Sequence, residues 1–367
     1  MPLFPPADCP RLIVKIGSAL LVTGEGQVRR EWLGGIAADI AARMRAGQQI
    51  ALVSSGAIAL GARRLGLAKS GRASLEDAQA AAATGQIALS QAWAEMLAGE
   101  GLVAAQMLVT LDDLEDRRRY LNAAATLDRL LSLGAVPVIN ENDSVATAEI
   151  RFGDNDRLAA RVAQAARAQG VLLLSDVDGL YDRNPDLPDA AHIARVERID
   201  GAIAAMADRG SSSGMGSGGM ASKIEAARIA TGAGVALAIA SGRTARSLSA
   251  EARHTLFVPE RRSRARKAWL TGRLTARGSI HVDAGAVEAL AQGASLLAAG
   301  AVRVEGSFGR GDVVTILSDG HAVARGLAEY DCADAARILR TKSDAQAEIL
   351  GYAPRSALVH RDHLVLI

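Results

Sequence analysis

Short apolar segments alternate with longer amphipathic ones along the first two-thirds of the chain. Six segments are short and apolar enough to predict buried strands: Leu12–Ile16, Ile50–Val53, Val103–Val109, Val136–Ile139, Val171–Leu174 and Val235–Ala240. Helical periodicity predicts amphipathic helices between them, at Glu31–Arg45, Leu75–Leu97 and Tyr120–Leu133. Strands that alternate with helices indicate a parallel sheet covered by helices on both faces.

The pattern changes after about Phe257, where a cationic segment begins. Residues Glu260–Arg273, ERRSRARKAWLTGR, contain six Lys or Arg residues, with Trp269 among them. A charge run of this kind is most often an exposed linker or a solvated helix face.

From about Gly278 onward, short apolar segments are separated by glycine turns. The predicted strands lie in SIHVD, VRVEG, DVVTIL, AVARGLAEY and ALVHRDHLVLI, and helical pieces lie at Ala284–Ala291 and Ala333–Leu339. Such a pattern is typical of a small, mostly β module with a barrel-like arrangement. We therefore predict an α/β domain over residues 1–258, a basic linker over 259–277 and a mostly β domain over 278–367.

Composition agrees with a two-domain α/β protein. A chain of 367 residues exceeds one comfortable core. Apolar residues make up 49% of the chain but aromatic residues only 3%, so the core consists of Ala, Leu, Ile and Val, which suits buried parallel strands. The formal net charge is only +2, so bulk electrostatics give no argument for nucleic acid or a membrane as partner.

The remaining composition signals predict a cytoplasmic protein. Cys9 and Cys332 are far apart and lack the spacing of a zinc site or a disulfide framework, which fits a reducing compartment. The N-terminal segment MPLFPPADCP lacks the charged and apolar regions of a signal peptide. No apolar run has the length of a transmembrane helix.

Polar residues are concentrated within Val136–Ala160, VPVINENDSVATAEIRFGDNDRLAA. The apolar run ends in Asn140, Glu141, Asn142 and Asp143, and a second cluster follows at Asp154, Asn155 and Asp156. Polar side chains at the carboxyl ends of parallel strands are typical of a ligand site in an open α/β sheet. A solvated loop with Asn and Asp as helix caps remains the alternative.

Two strand ends are followed by small residues suited to binding an anion. Lys15 stands in LIVKIGSAL, where an unpaired buried charge is costly, so the lysine either reaches solvent at an edge or meets an anion. Backbone N–H groups of the following Gly-Ser turn favour the anion. The segment Ser54–Gly66, SSGAIALGARRLG, repeats this arrangement, with helix capping by serine as the alternative.

The segment Gly210–Lys223, GSSSGMGSGGMASK, matches two motifs whose context is missing. Its glycines follow a charged helix end, which is not the strand that a dinucleotide fingerprint requires, and its serines lie outside a nucleophile elbow. The sequence contains no Walker A motif, since Gly-Lys does not occur. The segment therefore predicts either a glycine loop that closes over phosphates, with Lys223 in the first turn of the next helix, or a flexible surface linker.

Phosphoryl transfer is the chemistry that these residue types permit. Another strand ends in Ser175 and Asp176, within LLLSDVDGLYDRNP, and adds a second polar rim. The few histidines are scattered, so no Ser-His-Asp or metal triad is convincing. Lysines, glycine loops and amide or carboxylate clusters suit phosphoryl transfer, which depends on positioning and charge neutralisation.

Five strings, in this order and spacing, resemble the bacterial glutamate 5-kinases: VKIGSAL, SSGAIALG, INENDSVATAEIRFGDND, LLSDVDGLYDRNP and SGGMASK. The resemblance extends over essentially the whole chain, because the C-terminal module is similar to the PUA domain of that family. It implies an amino-acid-kinase fold, a three-layer αβα sandwich with a mainly parallel sheet. The implied reaction transfers the ATP γ-phosphate to the side-chain carboxylate of L-glutamate, which is the first step of proline biosynthesis.

The resemblance also implies roles for individual residues. Lys15 and Lys223 share the charge of the transferred phosphoryl group, and Asp156 orients both lysines. Glutamate is held by Ser55, Asp143 and Asn155, the last two through its α-amino group. The implied ATP-binding residues are Lys15, Ser175, Asp176, Ser217, Gly218, Gly219, Met220, Ala221, Ser222 and Lys223.

Further implications concern cofactors, partners and regulation. Mg²⁺ is expected on ATP, held by phosphates and water, so no protein ligand to a metal is predicted. L-Proline is the expected feedback inhibitor, and a homodimer or homotetramer is the expected assembly. Arg151 stands where the family pattern leads us to expect lysine, and its role is left open because the two cations differ in geometry.

Three alternatives remain. Another enzyme of the same fold, such as an aspartokinase, a carbamate kinase or a nucleotide kinase, is disfavoured by the INEND and GDND pair. An RNA-binding PUA protein would use Arg261–Arg273 on phosphates, but the overall charge lacks the basic footprint that this requires. In the third alternative, the C-terminal module serves only regulation or assembly.

Overall fold

The computed structural model describes residues 3–145, 155–209, 219–244, 246–248, 253–259 and 276–367, with the backbone alone for 207–209. The chain divides into two compact units, Met1–Arg262 and Ser263–Ile367. Most of the segment that we predict as a basic linker, residues 260–275, lies outside the described residues.

An eight-stranded sheet forms the middle layer of the first unit. Its strands are β1 (Arg11–Ile16), β2 (Gln49–Ser54), β3 (Ala104–Val109), β4 (Val136–Glu141), β5 (Gly170–Ser175), β8 (Arg195–Val196), β9 (Ala236–Ser241) and β10 (His254–Phe257). The order is β3-β4-β2-β1-β5-β9-β10-β8. The first six strands in this order are parallel, and β10 pairs antiparallel with β9. All six predicted strands are confirmed, and β10 and the two-residue β8 are additions.

Two short strands, β6 (Leu180–Tyr181) and β7 (His192–Ile193), form a separate hairpin. The helices of this unit are α1 (Ser18–Leu21), α2 (Arg30–Arg45), α3 (Ala57–Leu65), α4 (Leu75–Gly99), α5 (Leu111–Glu115), α6 (Arg117–Ser132), α7 (Asn155–Ala165), α8 (Gly201–Arg209) and α9 (Met220–Gly232). The three predicted helices are confirmed as α2, α4 and α6.

The sheet separates two apolar cores, which makes the unit a three-layer sandwich. Helices α1 to α4 pack on one face and α5 to α9 on the other. Strand β1 shows the reason, since successive side chains point to opposite faces. Leu12, Val14 and Ile16 belong to the core with α2 and α4, and Ile13 belongs to the core with α7 and α9. The same period places Lys15 on the face of α7 and α9.

Helices α3 and α4 cross at glycines. A Cβ atom at Gly61 would lie 1.7 Å from the Ala81 carbonyl oxygen, and one at Gly85 would lie 1.8 Å from the Ala57 carbonyl oxygen. Only hydrogen at these positions permits such an approach of the two backbones. The crossing therefore fixes the start of α3, directly after the carboxyl end of β2.

The second unit is built on a five-stranded sheet with its own apolar core. Its elements are β11 (Gly278–Val282), α10 (Ala284–Ala291), β12 (Ala301–Gly306), β13 (Val313–Ser318), β14 (His321–Ala328), α11 (Cys332–Arg337), α12 (Ser343–Leu350) and β15 (Val359–Leu366). The order is β12-β11-β13-β14-β15, with one parallel pair, β11 and β13. The predicted strands and both predicted helices are confirmed, and α12 is an addition.

Candidate functional site

A cleft of about 870 Å³ opens at the carboxyl ends of the parallel strands in the first unit. These ends meet at one edge of the sheet, where ligands bind in open α/β folds. Nine predicted site residues line the cleft: Lys15, Ser55, Asp143, Asn155, Ser175, Asp176, Gly219, Met220 and Lys223. Ala221 and Ser222 lie in the first turn of α9 without lining it. Ser217, Gly218, Arg151 and Asp154 lie outside the described residues.

Asp156 joins the two lysines that the sequence singled out. Its carboxylate oxygens lie 2.5 Å from Lys15 Nζ and 2.9 Å from Lys223 Nζ. The three residues come from β1, α7 and α9, and each is at most 6% exposed. The anion that Lys15 meets is thus a carboxylate of the protein itself.

The three charged residues of this cluster differ in sign, with two lysines against one aspartate. Burial alone raises the pKa of Asp156, but the ammonium groups of Lys15 and Lys223 lower it below its ordinary value. The carboxylate is therefore ionised, and the cluster carries two positive charges against one negative. Both lysines also line the cleft, so an anionic ligand bound there would meet their ammonium groups.

A chain of hydrogen bonds between amide side chains lies at the end of the cleft that contains Ser55 and Asn155. Asn155 Nδ2 donates to Ser55 Oγ over 2.7 Å and to Asn140 Oδ1 over 3.0 Å. Asn140 Nδ2 in turn donates to Gln86 Oε1 over 2.8 Å, which connects the site to α4. With both amide groups oriented, Asn155 Oδ1 stays buried, and no described residue donates a hydrogen bond to it. A ligand with an N–H donor would satisfy this oxygen.

Asp143 lies beside this chain and is only 9% exposed. Burial raises the pKa of Asp143 from 3.8 to about 6, although the guanidinium of Arg72 acts in the opposite direction. A buried carboxylate of this kind is stabilised by a cationic ligand. Asp143 and Asn155 Oδ1 together suit an ammonium group.

Helix capping by serine, the alternative for Ser54–Gly66, is wrong. The residue before α3 is Gly56, with φ of 111°, and it supplies no side-chain cap. Ser54 Oγ instead accepts from the indole Nε1 of Trp93 over 2.8 Å, and Ser55 accepts from Asn155. The left-handed turn at Gly56 releases Ser55 toward the cleft, because a glycine adopts this conformation without steric cost.

The end of the cleft near β5 and β9 contains a second set of polar groups. Ser175 Oγ donates to Asp176 Oδ1 over 2.9 Å, and Arg243 Nε donates to the Asp176 carbonyl over 3.0 Å. The N-terminus of α9, preceded by Gly219, also lines this end. N–H groups at a helix start favour phosphate.

Two cleft residues, Asn140 and Arg72, and the supporting amide of Gln86 are not among the predicted site residues. Asn140 was recognised only as part of a polar cluster, and Gln86 is a single amide within an alanine-rich helix. Arg72 follows a short turn without any motif. A signal existed only for Asn140, since INEND continues an apolar strand.

No helix of the described part of the chain is long and apolar enough to span a membrane.

Comparisons with known proteins agree along the whole chain. The model of the amino acid kinase family matches residues 10–241, and that of the PUA domain matches residues 278–350. The glutamate 5-kinase of Sphingopyxis alaskensis is 75% identical over 368 residues, covering 100% of both chains. That of Novosphingobium aromaticivorans is 63% identical and covers 98% of this chain and 97% of its own.

Among solved structures, carbamate kinase from Giardia lamblia bound to AMP-PNP is similar in fold. The TM-score is 0.50 at 15% sequence identity, over 68% of this chain and 99% of that one. At this identity the likeness shows the fold alone. It agrees with the three-layer sandwich of the first unit.

Proposed function

This chain belongs to the glutamate 5-kinases of the amino acid kinase family, and from that premise we propose how its cleft phosphorylates the side-chain carboxylate of L-glutamate with ATP. The observation that carries the proposal is the buried carboxylate of Asp156 between the ammonium groups of Lys15 and Lys223. The arrangement fixes two cations at one wall of a cleft large enough for both substrates.

The reaction requires positioning and charge neutralisation. The γ-carboxylate of glutamate is ionised at neutral pH, so it attacks without a general base. One of its oxygens forms a bond to the γ-phosphorus of ATP while the bond from that phosphorus to the bridging oxygen breaks. ADP leaves with the electron pair, and the product is the acyl phosphate L-glutamyl 5-phosphate.

Lys15 and Lys223 stabilise the negative charge that spreads over the transferred group. Asp156 acts as a positioning residue, because it holds both ammonium groups without reaching the cleft lining itself. Cations that are fixed before the reaction need no reorganisation during it, which is the main source of electrostatic catalysis.

Glutamate binds at the end of the cleft that contains Ser55, Asp143 and Asn155. The carboxylate of Asp143 and the buried Oδ1 of Asn155 accept from the α-ammonium group. Ser55 is fixed by the amide of Asn155 and orients the side chain of the substrate. The γ-carboxylate then extends toward Lys15.

ATP binds at the opposite end, between Ser175, Asp176 and the start of α9, with residues 217–223 at its phosphates. Mg²⁺ is proposed to enter on the phosphates and to keep water ligands, as this ion prefers. No cluster of three or more His, Cys, Asp or Glu suited to a metal occurs in the described ranges. The ion would add charge neutralisation when bound, and the protein would contribute the two lysines.

Proline is the proposed feedback inhibitor at the glutamate end. It presents an α-ammonium and an α-carboxylate to the same groups but lacks a γ-carboxylate. Its binding would therefore compete with glutamate and produce no acyl phosphate.

A homo-oligomer in the cytoplasm is also proposed. Strand β3 lies at an edge of the sheet. Val103, which directly precedes β3, and Ile87, on α4, are each 69% exposed. Exposed apolar side chains beside an open strand edge favour burial against a second copy.

A hydroxamate assay tests the function. Hydroxylamine traps acyl phosphate in the presence of ATP and Mg²⁺, with L-glutamate, L-aspartate and no acceptor run side by side, with and without L-proline. Product from glutamate alone is expected, and its suppression by proline supports the inhibitor. Product from aspartate but not from glutamate would overturn the proposed roles of Asp143 and Asn155.

A further inference from the structure

The glutamate end of the cleft contains one cation that the mechanism does not use. Arg72 lines the cleft beside the residues proposed for the amino acid, and its side chain is exposed. Within the described ranges its guanidinium makes no ion pair and no hydrogen bond. It is therefore available to a ligand.

A strained turn fixes where Arg72 begins. Lys69 and Ser70 have φ of 47° and 54°, and Gly71 has φ of 75°, so three successive residues are left-handed. Gly71 is buried, and a Cβ atom there would lie 2.9 Å from Ala62 Cβ and 3.0 Å from Ala81 Cβ. Non-glycine residues persist in this conformation only where the surrounding packing imposes it. Here α3 and α4 impose it, and these helices also position Ser55 and Gln86.

Arg72 lies close enough to Asp143 to influence its ionisation. Burial raises the pKa of Asp143, and the charge of Arg72 opposes that rise. Arg72 and Asp143 both line the cleft and make no direct ion pair, so the cleft presents a positive and a negative group to one ligand. A ligand that carries an ammonium and a carboxylate on one carbon atom matches this pair.

Building on the proposed function, we propose that Arg72 binds the α-carboxylate of glutamate and selects ligands with a free α-amino acid group. The α-ammonium and the α-carboxylate of glutamate are both attached to its α-carbon. If Asp143 accepts from the α-ammonium, the α-carboxylate is therefore close by and is placed to meet Arg72. Guanidinium groups bind carboxylates through paired, charge-assisted hydrogen bonds.

The other cations of the described cleft lining already have partners within the protein. Lys15 and Lys223 bind Asp156. At the nucleotide end, Arg243 donates to the Asp176 carbonyl, Arg253 donates to the Tyr181 hydroxyl, and Arg183 pairs with Asp182. Arg72 is thus the cation placed for the α-carboxylate.

The test compares L-glutamate with L-isoglutamine, which keeps the γ-carboxylate and replaces the α-carboxylate by a carboxamide. Binding to the full-length protein is measured by calorimetry with a non-hydrolysable ATP analogue and Mg²⁺ present. For wild type we expect tighter binding of glutamate. Arg72→Gln should weaken glutamate binding about 10- to 150-fold, as expected for a charged hydrogen-bonding partner, and isoglutamine binding less than threefold.

Two further variants separate recognition from structure. Arg72→Lys keeps the charge and should retain part of the preference for glutamate, and Arg64→Gln, an exposed arginine on α3 outside the cleft lining, should leave both affinities unchanged. In turnover, Arg72→Gln should raise the KM for glutamate with little change in kcat or in the KM for ATP.

The pH profile supplies a readout that a merely structural role would not move. Loss of the cation should shift the acidic limb of kcat/KM for glutamate to higher pH, because Arg72 opposes the raised pKa of Asp143. Glu141 also lines this end of the cleft and stays constant across the variants.

Equal losses for glutamate and isoglutamine in Arg72→Gln, or no loss for either, would overturn the inference. Wild-type protein that fails to distinguish the two compounds would do the same. Failure of turnover with an intact binding preference would instead overturn the proposed function and leave the α-carboxylate site standing.

Discussion

Asp156 shows at the scale of one residue why a buried charge can be functional. An isolated carboxylate at 1% exposure would be very costly, yet here two ammonium groups compensate it. The same pairs hold Lys15 and Lys223 in one geometry at the wall of the cleft. Removing either lysine would leave a neutral pair with no surplus charge for phosphate.

Lys223→Ala should therefore lower kcat by about 10²- to 10³-fold, the loss typical of one preorganised electrostatic donor. The measurement is steady-state acyl phosphate formation at saturating ATP and glutamate. Lys342→Ala removes the same charge from the second unit and should leave kcat unchanged. A Lys223→Ala enzyme with near-normal kcat would contradict the proposed role.

Asp143 predicts a pH dependence of glutamate use. Because burial raises the pKa of Asp143 to about 6, the carboxylate loses its charge below that pH and no longer attracts an ammonium group. We expect kcat/KM for glutamate to fall toward tenfold per pH unit below about pH 6, since this parameter reports the free enzyme. Asp143→Asn should have low activity overall and should lack this fall in kcat/KM below pH 6. A fall that persists in the variant would show that another group titrates.

The raised pKa of Asp143 also predicts that protein stability falls as pH rises, whereas glutamate use falls as pH drops. The pKa of Asp143 in the folded protein lies above its unfolded value, so the native state binds the extra proton. Its contribution to stability is complete below the unfolded pKa and is lost as pH rises through about 6. Asp143→Asn should therefore raise the free energy of unfolding at pH 8 by up to about 3 kcal/mol relative to wild type. The thermal midpoint at pH 8 should rise with it.

The comparison is made by thermal unfolding at pH 8 and at pH 5, where the advantage of the variant should be smaller. An equal or reversed difference at the two pH values would show that Asp143 does not titrate in this range in the folded protein.

At the scale of elements, the crossing of α3 and α4 connects stability with substrate binding. Gly85→Ala places a methyl group against the Ala57 carbonyl, where only 1.8 Å is available, so the helices must separate. Overpacking of this kind costs about 1–3 kcal/mol. The KM for glutamate should rise as well, because Ser55 lies two residues before the start of α3 and Gln86 follows Gly85.

Gly99→Ala is the matched control within α4, since nothing beyond its chain neighbours and its own helix backbone lies within 4 Å of its Cβ position. It should leave the KM unchanged and stabilise the helix by up to about 1 kcal/mol. Thermal unfolding and glutamate kinetics of both variants check the prediction. Equal behaviour of the two would mean that the crossing tolerates a methyl group.

At the scale of the whole molecule, every residue that lines the cleft belongs to the first unit. The second unit has a separate apolar core formed by residues from Ile280 onward. The binding chemistry thus needs no residue of the PUA module within the described ranges.

Hydrogen exchange of the full-length protein tests this separation. ATP analogue and glutamate should increase protection in peptides from residues 3–259, since ligands stabilise the state that binds them. Peptides from residues 278–367 should exchange as in the free protein. Protection of the second unit on ligand addition would assign a regulatory coupling to it.

Local patterns determined much of the architecture from the sequence alone. Buried strands such as β5 and amphipathic helices such as α6 are readable because burial alternates with a fixed period along the chain. The less regular elements β10 and α12 were missed. Strand β10 is only four residues long and runs antiparallel to β9, so its pairing, and not a repeated pattern of its residues, makes it a strand.

The sequence by itself thus determined the strands of the parallel sheet and the family. The tertiary structure decided which groups meet. Lys223 and Asp156 stand 67 positions apart, and they meet because α7 and α9 pack on the same face of the sheet. Arg72 reaches the cleft because packing by α3 and α4 imposes a left-handed turn that local preference disfavours. Periodicity is a local property, whereas the order of strands and the crossing of helices arise only when the chain closes on itself.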